Sequence, residues 1–275
     1  MITVRIHGGL GNQMFQYAFG RTVARRNHAS LALDTSSAIP SRPYQLGSFA
    51  ITARPESALV RTYRKIASKI VNRKVAEKHY HFYKEALEAR DGSYLDGYWQ
   101  SDKYFKEIEA DIRKEFVPAR PFGPSAAVAA ARIDADPSAA VSVHIRRGDY
   151  ASNSKVNAFN GTLSPGYYQD AVKILAKKGL ERPVFYVFSD DMAWVKEHLP
   201  FLAPAIFVSQ PGISDAEDLM LMSRCKAHII ANSTFSWWGA WLDPNPSKIV
   251  IGPRQWFRDT TIDTGDVIPE GWLTI

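Results

Sequence analysis

Short apolar segments rich in β-branched and aromatic residues recur along the chain, separated by longer stretches with helical patterns. The apolar segments lie at residues 2–7, 31–34, 141–145, 184–189, 206–209, 228–232 and 248–252. Strands that alternate with helices at this spacing predict βαβ units around parallel sheets, and therefore an α/β fold. Because such sheets bind ligands outside the carboxyl ends of their strands, the residues that follow each strand are candidates for chemistry.

Two helices in the second half of the chain have recognisable start signals. Ser164 precedes Pro165, which places a cap residue before a proline at the first helical position and predicts a helix over 165–178. Ser214 is followed three residues later by a glutamate, and this capping box predicts a helix over 215–226.

Residues 55–80 fit a single amphipathic helix, because apolar residues recur there at steps of four, three and four. Those apolar residues are Leu59, Tyr63, Ile66 and Ile70. The stretch from 61 to 78 is also basic, with Glu77 as its single acid. Its basic residues are Arg61, Arg64, Lys65, Lys69, Arg73, Lys74 and Lys78.

A Pro- and Ala-rich stretch at 118–138 is typical of a connector followed by a short helix. We therefore expect a domain boundary near 136–140, which divides the chain into an N-terminal lobe, 1–136, and a C-terminal lobe, 137–275. A chain of 275 residues is long enough for two domains of ordinary size.

The composition is that of a globular protein, with 45% hydrophobic and 23% charged residues. No apolar run reaches the roughly 18 residues that a membrane span needs, and the N-terminus is expected to be a strand rather than a signal peptide. Cys225 is the single cysteine, which excludes an internal disulfide and favours a reducing, cytoplasmic location. The net charge of +6 fits an anionic partner: a phosphorylated small molecule, a membrane surface or a nucleic acid.

The first predicted strand is followed at once by the glycine-rich stretch GGLGNQMFQYAFG, residues 8–20. Its glycines allow a tight turn and close approach of a ligand to the backbone, and Asn12 and Gln13 add amide groups at the start of a helix. A plain βα turn with a helix cap is the competing interpretation. The glycine spacing differs from the dinucleotide-binding pattern GxGxxG, and the sequence contains no GxxxxGK[ST] phosphate loop.

Another predicted strand ends in HIRRGDY, with Arg146 and Arg147 followed by Asp149. Neighbouring side chains of a strand face opposite ways, so one arginine can enter the ligand crevice while the other anchors the loop, with Asp149 as a candidate partner. The guanidinium fork suits bidentate contact with a phosphate. A structural Arg–Asp pair at the strand end explains the motif about equally well.

The strand at 228–232 is followed by a cluster of hydroxyl residues, Ser233, Thr234 and Ser236, at a predicted helix start. Free backbone N–H groups and the helix dipole favour an anion at such a position. The three tryptophans that come next are expected to pack the helix onto the sheet.

The stretch FSDD, residues 188–191, ends a further strand with two acids. Paired carboxylates can bind Mg²⁺ or Mn²⁺, but a helix-capping pair is the favoured interpretation. The seven histidines show no HExxH spacing, and a single cysteine gives no zinc signature, so no metal ligands are predicted.

Taken together, these segments resemble the α-1,2-fucosyltransferase family of inverting glycosyltransferases. The resemblance extends from about residue 6 to about residue 257 and includes six motifs in order: GGLGNQMFQYAFG, GYWQSDKYF, HIRRGDY, LSPGYYQDA, EDLMLMSRCK and NSTFSWWGAWL. It implies a GT-B-like α/β fold of two Rossmann-like lobes facing a cleft. The lobe 137–275 would bind GDP-fucose, and the lobe 1–136 would help to hold the acceptor sugar.

The resemblance also implies roles for individual residues. Arg146 corresponds to an arginine that contacts the β-phosphate, and Asn12 to an asparagine near the reacting sugar. His144 and Asp218 would bind guanine, and Ser233, Thr234, Phe235 and Ser236 would surround the diphosphate. The other expected substrate-binding residues are Arg147, within HIRRGDY, and Gly11 and Gln13, within the glycine-rich stretch. The resemblance does not supply the general base, because the position of a glutamate in some relatives is Ser154 here. Since the acceptor hydroxyl must lose a proton, Asp149 and Asp190 are the candidates. Enzymes of this family generally need no metal, and we expect neither a metal nor another cofactor.

The expected reaction is transfer of L-fucose from GDP-fucose to the 2-hydroxyl of a galactoside. The alternatives are transfer of another GDP-sugar, transfer to another hydroxyl, and a non-enzymatic module that binds nucleic acid or a membrane through its basic residues. We expect no nucleic-acid partner, because no such motif is present. If the acceptor is a lipid-linked oligosaccharide, residues 61–78 could dock on the anionic inner leaflet of a membrane, although a solvated basic face is about as good an explanation.

Overall fold

The computed structural model describes residues 1–70, 73–136 and 140–275, without the side chains of residues 63, 65, 67–70 and 149. The backbone forms two compact units. The first unit comprises Met1–Arg120 and Gly265–Pro269, and the second unit comprises Pro121–Thr264 and Glu270–Ile275.

The first unit is built around a five-stranded parallel sheet. Its elements are β1 (Ile2–Arg5), α1 (Leu10–Arg26), β2 (Leu31–Asp34), β3 (Arg54–Pro55), α2 (Ala58–Ile70), β4 (Lys74–Ala76), β5 (Tyr94–Asp96) and α3 (Glu109–Glu115). The strand order is β3-β2-β1-β5-β4, so the chain crosses from one side of β1 to the other between β3 and β4. The carboxyl ends of β1 and β5 are neighbours at this crossing.

The second unit is built around a six-stranded parallel sheet. Its helices are α4 (Pro124–Ala135), α5 (Gly148–Ser152), α6 (Ser154–Asn160), α7 (Pro165–Lys177), α8 (Met192–His198), α9 (Asp215–Met222) and α10 (Thr234–Leu242). Its strands are β6 (Ala140–Ile145), β7 (Val184–Ser189), β8 (Ala205–Phe207), β9 (Ala227–Ile229), β10 (Ile249–Gly252) and β11 (Leu273–Thr274). The order β11-β10-β9-β6-β7-β8 reverses between β6 and β9.

The side chains of β6 alternate between two hydrophobic layers, as a strand covered on both faces requires. Val141, Val143 and Ile145 are fully buried in the layer that also contains residues of α7 and α8. Ala140 lies in the opposite layer, with residues of α4 and α9. Ser142 and His144 follow Ala140 on that face at steps of two.

The seven predicted strands are present, and the helices predicted over 165–178 and 215–226 are α7 and α9. The single helix expected over 55–80 is wrong in its second half. Helix α2 ends at Ile70, and β4 follows because Lys74–Ala76 pair in parallel with β5. A strand of three residues that is stabilised by its neighbour leaves no periodic signal of its own.

The two units separate between Arg120 and Pro121, earlier in the chain than the boundary expected near 136–140. Residues 137–139, on which that boundary falls, lie outside the described residues. Helix α4 belongs to the second unit because its buried residues Ala126, Ala130 and Ile133 pack in the same layer as β6, β7 and α9.

No helix within the described ranges is both long enough and apolar enough to cross a membrane.

Candidate active site

The strand reversal of the second sheet places two of the sequence motifs at one edge. Strands β6 and β9 are parallel neighbours, with Val143 opposite Ile229, so HIRRGDY and NSTFSWW both leave the sheet at its carboxyl edge. The crevice beside such a reversal is where open α/β sheets bind ligands. This edge is therefore the candidate active site of the second unit.

Both arginines of HIRRGDY are paired with carboxylates from the end of β7. Arg146 Nη1 lies 2.6 Å from Asp190 Oδ2. The backbone N–H of Arg147 donates to Asp190 Oδ1 at 2.8 Å, and its Nε donates to Asp191 at 3.2 Å. The Arg147 guanidinium also lies 4.0 Å from the centre of the Trp194 ring. Arg147 therefore anchors the loop, but through Asp190 and Asp191 at the end of β7. The partner expected within the motif, Asp149, has a side chain outside the described part of the structure.

Gly148 is required by the close approach of Asp190. A Cβ atom at this position would lie 2.5 Å from Asp190 Oδ2, closer than nonbonded atoms approach. The glycine thus allows the carboxylate to contact the loop backbone and the Arg146 side chain together. Asp191 has a second function as the N-cap of α8, where it accepts from the N–H of Trp194 at 3.1 Å, which confirms the capping interpretation of FSDD.

His144 has a polar atom that the protein leaves unsatisfied. The residue is 6% exposed, and its Nδ1 is buried without a hydrogen-bond partner among the described residues. Burial and the nearby charge of Arg146 lower the pKa of His144 to about 3, so the ring is neutral at pH 7. Its centroid lies 5.6 Å from that of Phe235. A buried polar atom without a partner is costly, and a ligand that bonds to it relieves that cost.

Asp218, in the first turn of α9, is half-buried and is the second residue with an unsatisfied atom. Ser209 Oγ donates to its Oδ2, whereas Oδ1 is buried with no partner in the described part of the chain. Burial raises the pKa of Asp218 to about 7, against the opposing effect of the Ser209 hydrogen bond. This carboxylate can therefore receive N–H donors from a ligand.

The hydroxyl residues at the start of α10 have different roles in the structure. Ser233 is the N-cap and accepts from the N–H of Phe235 at 3.4 Å. The buried Ser236 hydroxyl donates to the Ser233 carbonyl at 3.3 Å, so it acts within the helix. Thr234 and Phe235 are half-buried. The first turn also carries the positive end of the helix dipole.

A buried polar chain behind this edge was not predicted. Asp243, just after α10, can only accept, so His228 Nε2 donates to its Oδ2 at 3.1 Å. His228 Nδ1 then accepts from Ser142 Oγ at 2.8 Å. All three residues are at most 3% exposed, which makes this chain a structural clamp between β6, β9 and the end of α10. The register of β6 and β9 sets Ser142 opposite His228.

The side-chain amides of Gln13 and Asn12, in the glycine-rich motif, differ in burial and in hydrogen-bond partners. Gln13 is 1% exposed; its Nε2 donates to the carbonyls of Gly8 and Pro43, and its Oε1 accepts from the N–H of Gln45. Gln13 therefore fixes the loop at 43–45, and its expected contact with the substrate stays a prediction.

Asn12 and Gly11 lie in the first turn of α1, at the carboxyl edge of the first sheet. Asn12 is half-buried, and its Oδ1 accepts from Gln100 Nε2 at 3.2 Å. Gly11 is buried. Both remain candidates for contact with the reacting sugar.

Asp149 lies in α5, and its side chain is outside the described part of the structure, so its expected role stays a prediction. Among the residues described, no three of His, Cys, Asp and Glu are grouped closely enough to hold a metal ion.

Comparison with known proteins relates the whole chain to glycosyltransferases. An Alpha-1,2-colitosyltransferase of Escherichia coli is 33% identical over 304 residues, covering 100% of this chain and 99% of that protein. A Galactoside alpha-(1,2)-fucosyltransferase 2 of Rattus norvegicus is 28% identical over 261 residues, covering 88% of this chain and 67% of that protein.

Among solved structures, NodZ alpha-1,6-fucosyltransferase soaked with GDP-fucose matches with a TM-score of 0.52 at 17% identity, over 88% of this chain and 92% of that one. This similarity confirms the expected GT-B-like α/β fold with two Rossmann-like lobes. The model of Glycosyl transferase family 11 matches residues 1–275. The chain is therefore an enzyme of glycosyl transferase family 11.

Proposed function

We propose that this enzyme transfers L-fucose from GDP-fucose to the 2-hydroxyl of a galactoside, with inversion at the anomeric carbon and without a metal ion. The observation that carries the proposal is the carboxyl edge of β6 and β9. There Asp190 forms an ion pair with Arg146. Two residues before Arg146 lies His144, whose buried Nδ1 has no partner among the described residues. Family membership excludes the alternative of a purely non-enzymatic binding module.

The unsatisfied polar atoms of the second unit suit a guanine base. Guanine carries two adjacent donors, N1–H and the exocyclic amino group, and Asp218 Oδ1 is an acceptor that no described residue satisfies. Guanine also carries ring and carbonyl acceptors, and His144 can donate from Nδ1 in the matching tautomer. The half-buried ring of Phe235, next to His144, supplies a flat apolar contact. Adenine lacks this donor pair, so Asp218 favours guanine.

Arg146 and the start of α10 are the groups we propose to stabilise the leaving diphosphate. As the bond between fucose C1 and the β-phosphate oxygen breaks, that oxygen gains negative charge and the sugar becomes oxocarbenium-like. The acceptor oxygen then bonds to C1 and releases its proton to a base or to water. In many enzymes, preorganised hydrogen-bond donors directed at such a developing charge make the largest single contribution to stabilising the transition state. Arg146 would supply a guanidinium, and the first turn of α10 would supply backbone N–H groups.

The test is product analysis. The enzyme is incubated with GDP-fucose and lactose, GDP release is followed, and the new linkage is determined by NMR. We expect a single α-linked fucose on the 2-hydroxyl of galactose. A product linked through another hydroxyl, or no consumption of GDP-fucose with any β-galactoside, contradicts the proposal.

Transfer of another GDP-sugar is a second candidate, and the similarity to a colitosyltransferase over the whole chain favours it. The two candidates share the nucleotide site and differ in the sugar. A panel of GDP-sugars, GDP-fucose, GDP-colitose and GDP-mannose, assayed at equal concentration with lactose separates them by kcat/KM. A higher value for GDP-colitose than for GDP-fucose assigns the enzyme to the second candidate.

We further propose that the acceptor is a lipid-linked oligosaccharide and that the face of α2 contacts an anionic membrane. Two apolar side chains of α2 are strongly exposed, Leu59 at 83% and Ile66 at 58%. Exposed apolar residues on a basic helix are typical of interfacial binding. Part of the basic charge is paired within the unit, since Arg64 contacts both Asp34 and Glu56, and Lys74 contacts Asp96.

Liposome flotation tests the membrane proposal. The protein is floated with vesicles of phosphatidylcholine alone and with vesicles containing phosphatidylglycerol. We expect binding to the anionic vesicles and its loss in Leu59→Asp/Ile66→Asp. Val128→Asp, which replaces an apolar residue that is 72% exposed on α4, is the matched control. Equal binding to both vesicle types, or none, would overturn this proposal.

A further inference from the structure

A group of aromatic rings lies at the carboxyl edge of the first sheet. His7 follows β1 and Tyr98 follows β5, the two strands that meet where the chain crosses sides. Their ring centroids are 4.7 Å apart at an interplanar angle of 56°. Tyr80 lies beyond Tyr98 at 6.4 Å, with the two rings nearly parallel at 15°. All three residues are half-buried, so the rings form a partly exposed surface at this edge.

The position of His7 is fixed by its backbone. Its N–H donates to Oε1 of Gln16 at 3.0 Å, and Gln16 is fully buried in α1. The side-chain Nε2 is buried and has no hydrogen-bond partner among the residues described. Burial, and next the charge of Arg5, lower the pKa of His7, while Asp96 and a hydrogen bond with the Gly97 backbone oppose the shift. These effects together favour the neutral imidazole.

Tyr98 is positioned by the carboxylate of Glu77. Glu77 Oε2 accepts from the N–H of Tyr98 at 2.7 Å, and Oε1 accepts from the N–H of Trp99 at 2.8 Å. Gly97 permits this approach, because a Cβ there would lie 2.4 Å from the Cβ of Glu77. The loop that leaves β5 is thus held by two charge-assisted hydrogen bonds, which are stronger than neutral ones.

The charged groups around the ring pair have partners inside the unit. Arg5 Nη1 contacts Asp96 Oδ1 at 3.1 Å, and Lys74 contacts Asp96 Oδ2 at 2.8 Å. Glu77 is occupied by the two N–H groups described above. Arg42 is a further cation close enough to act on Tyr98. Beside these charged groups, the edge offers aromatic faces and one buried ring nitrogen. This combination suits a neutral polyhydroxylated ligand better than a phosphate.

We propose that His7 and Tyr98 form the subsite for the acceptor sugar, with the ring faces packed against the C–H face of a hexopyranose and His7 Nε2 hydrogen-bonded to one of its hydroxyls. The negative face of an aromatic ring attracts the weakly positive C–H groups of a sugar. The carboxyl end of a central strand is also where parallel sheets bind ligands. The inference rests on the proposed function and assigns residues to its acceptor side.

Four variants test the subsite. His7→Phe keeps a ring and removes Nε2, Tyr98→Ala removes a ring, and Tyr98→Phe keeps the ring without its hydroxyl. His28→Ala is the matched control, because His28 is an exposed histidine of the same unit, just after α1. For each variant, KM for lactose and kcat are measured with saturating GDP-fucose, and GDP affinity is measured by calorimetry.

We expect KM for lactose to rise about tenfold in His7→Phe, from loss of one hydrogen bond, and about tenfold or more in Tyr98→Ala. His28→Ala should change it by less than about twofold, and Tyr98→Phe, which keeps the ring, should raise it less than Tyr98→Ala does. Calorimetry should show that each variant still binds GDP like the wild type, which also confirms that it is folded.

The outcomes separate the two proposals. If the wild type neither binds GDP nor turns over GDP-fucose, the proposed function fails. If the wild type is active and KM for lactose is unchanged in both His7→Phe and Tyr98→Ala, the acceptor subsite is wrong. If these variants weaken GDP binding instead of lactose binding, the subsite is also wrong, because the residues then act on the donor side.

Discussion

Arg146 and Asp190 form an ion pair at the carboxyl edge of the second sheet, with 2.6 Å between Nη1 and Oδ2. Asp190 uses its other oxygen to accept from the backbone N–H of Arg147. One carboxylate therefore fixes both the loop that carries the guanidinium and the guanidinium itself. With this pairing, Asp190 is better placed to orient Arg146 than to act as the general base considered from the sequence.

Replacement of Arg146 should abolish most of the activity while the fold survives. We expect Arg146→Ala to reduce kcat about a hundredfold or more, equivalent to about 2.7–4 kcal/mol for one donor to the leaving group. Arg146→Lys should also be strongly impaired, since a point charge cannot replace the planar fork. Steady-state assays with GDP-fucose and lactose check this, and a loss below tenfold in a folded Arg146→Ala variant contradicts the role.

Asp190→Asn should reduce kcat through Arg146 rather than through loss of a base. The amide can still accept from the N–H of Arg147 but no longer pairs with the guanidinium, and we expect about a tenfold lower kcat. Asp134→Asn is the control, because it disrupts an exposed Arg–Asp pair with Arg224 in the same unit. The pH profile of kcat separates the two roles: it keeps its shape if Asp190 orients Arg146 and loses its acidic limb if Asp190 is the base.

GDP-fucose should bind more tightly as the pH rises from 6 to 8. In the free enzyme the pKa of Asp218 is raised to about 7 by burial, so the carboxylate predominates only above that pH. Donors on guanine favour the charged form, so binding lowers this pKa and releases a proton below pH 7. KM for GDP-fucose should fall about tenfold over this range, because the ionised fraction of Asp218 rises about tenfold.

Asp218→Asn should remove this pH dependence and leave KM for GDP-fucose high throughout. Asp170→Asn, which replaces an exposed carboxylate paired with Lys173, should keep the wild-type profile. A flat profile in the wild type would show that Asp218 does not face the base.

Removal of divalent metal ions should leave turnover unchanged. Arg146 and the first turn of α10 are proposed to meet the charge that a metal ion neutralises in other transferases. Assays after dialysis against EDTA, and again after addition of Mg²⁺ or Mn²⁺, check this. A complete loss of activity with EDTA that is restored by either ion contradicts the metal-independent mechanism.

The sequence predicted five of the six strands of the second sheet, because segments such as Val184–Ser189 are apolar and bounded by polar residues, and it missed β11, which has only two residues. It missed β5, whose three residues, Tyr94–Asp96, are too few to show alternation. The prediction of a single helix over 55–80 also included β4. The pairing of β4 with β5, which is a tertiary interaction, determines the structure of residues 74–76.

The site residues, like the strands, could be predicted only where the signal lies in neighbouring residues of the sequence. Charged and hydroxyl residues after β6 and β9 could be found because they are adjacent in sequence to recognisable strands. Their partners could not, because the pairing of Arg146 with Asp190 depends on the register that sets Ile145 opposite Ser189. The clamp of Ser142, His228 and Asp243 likewise depends on the register of β6 and β9. The ring pair of His7 and Tyr98 depends on β5, a strand that was not predicted.

The crossing of the chain beside β1 has a consequence for engineering. The segment 74–98 contains β4, Glu77, β5 and Tyr98, and it forms one side of the first sheet without contributing a strand to the second. Because we propose that Tyr98 contacts the acceptor and that the second unit binds the nucleotide, we expect a chimera that exchanges this segment with that of a relative to change which glycan is modified and to leave nucleotide recognition as it was.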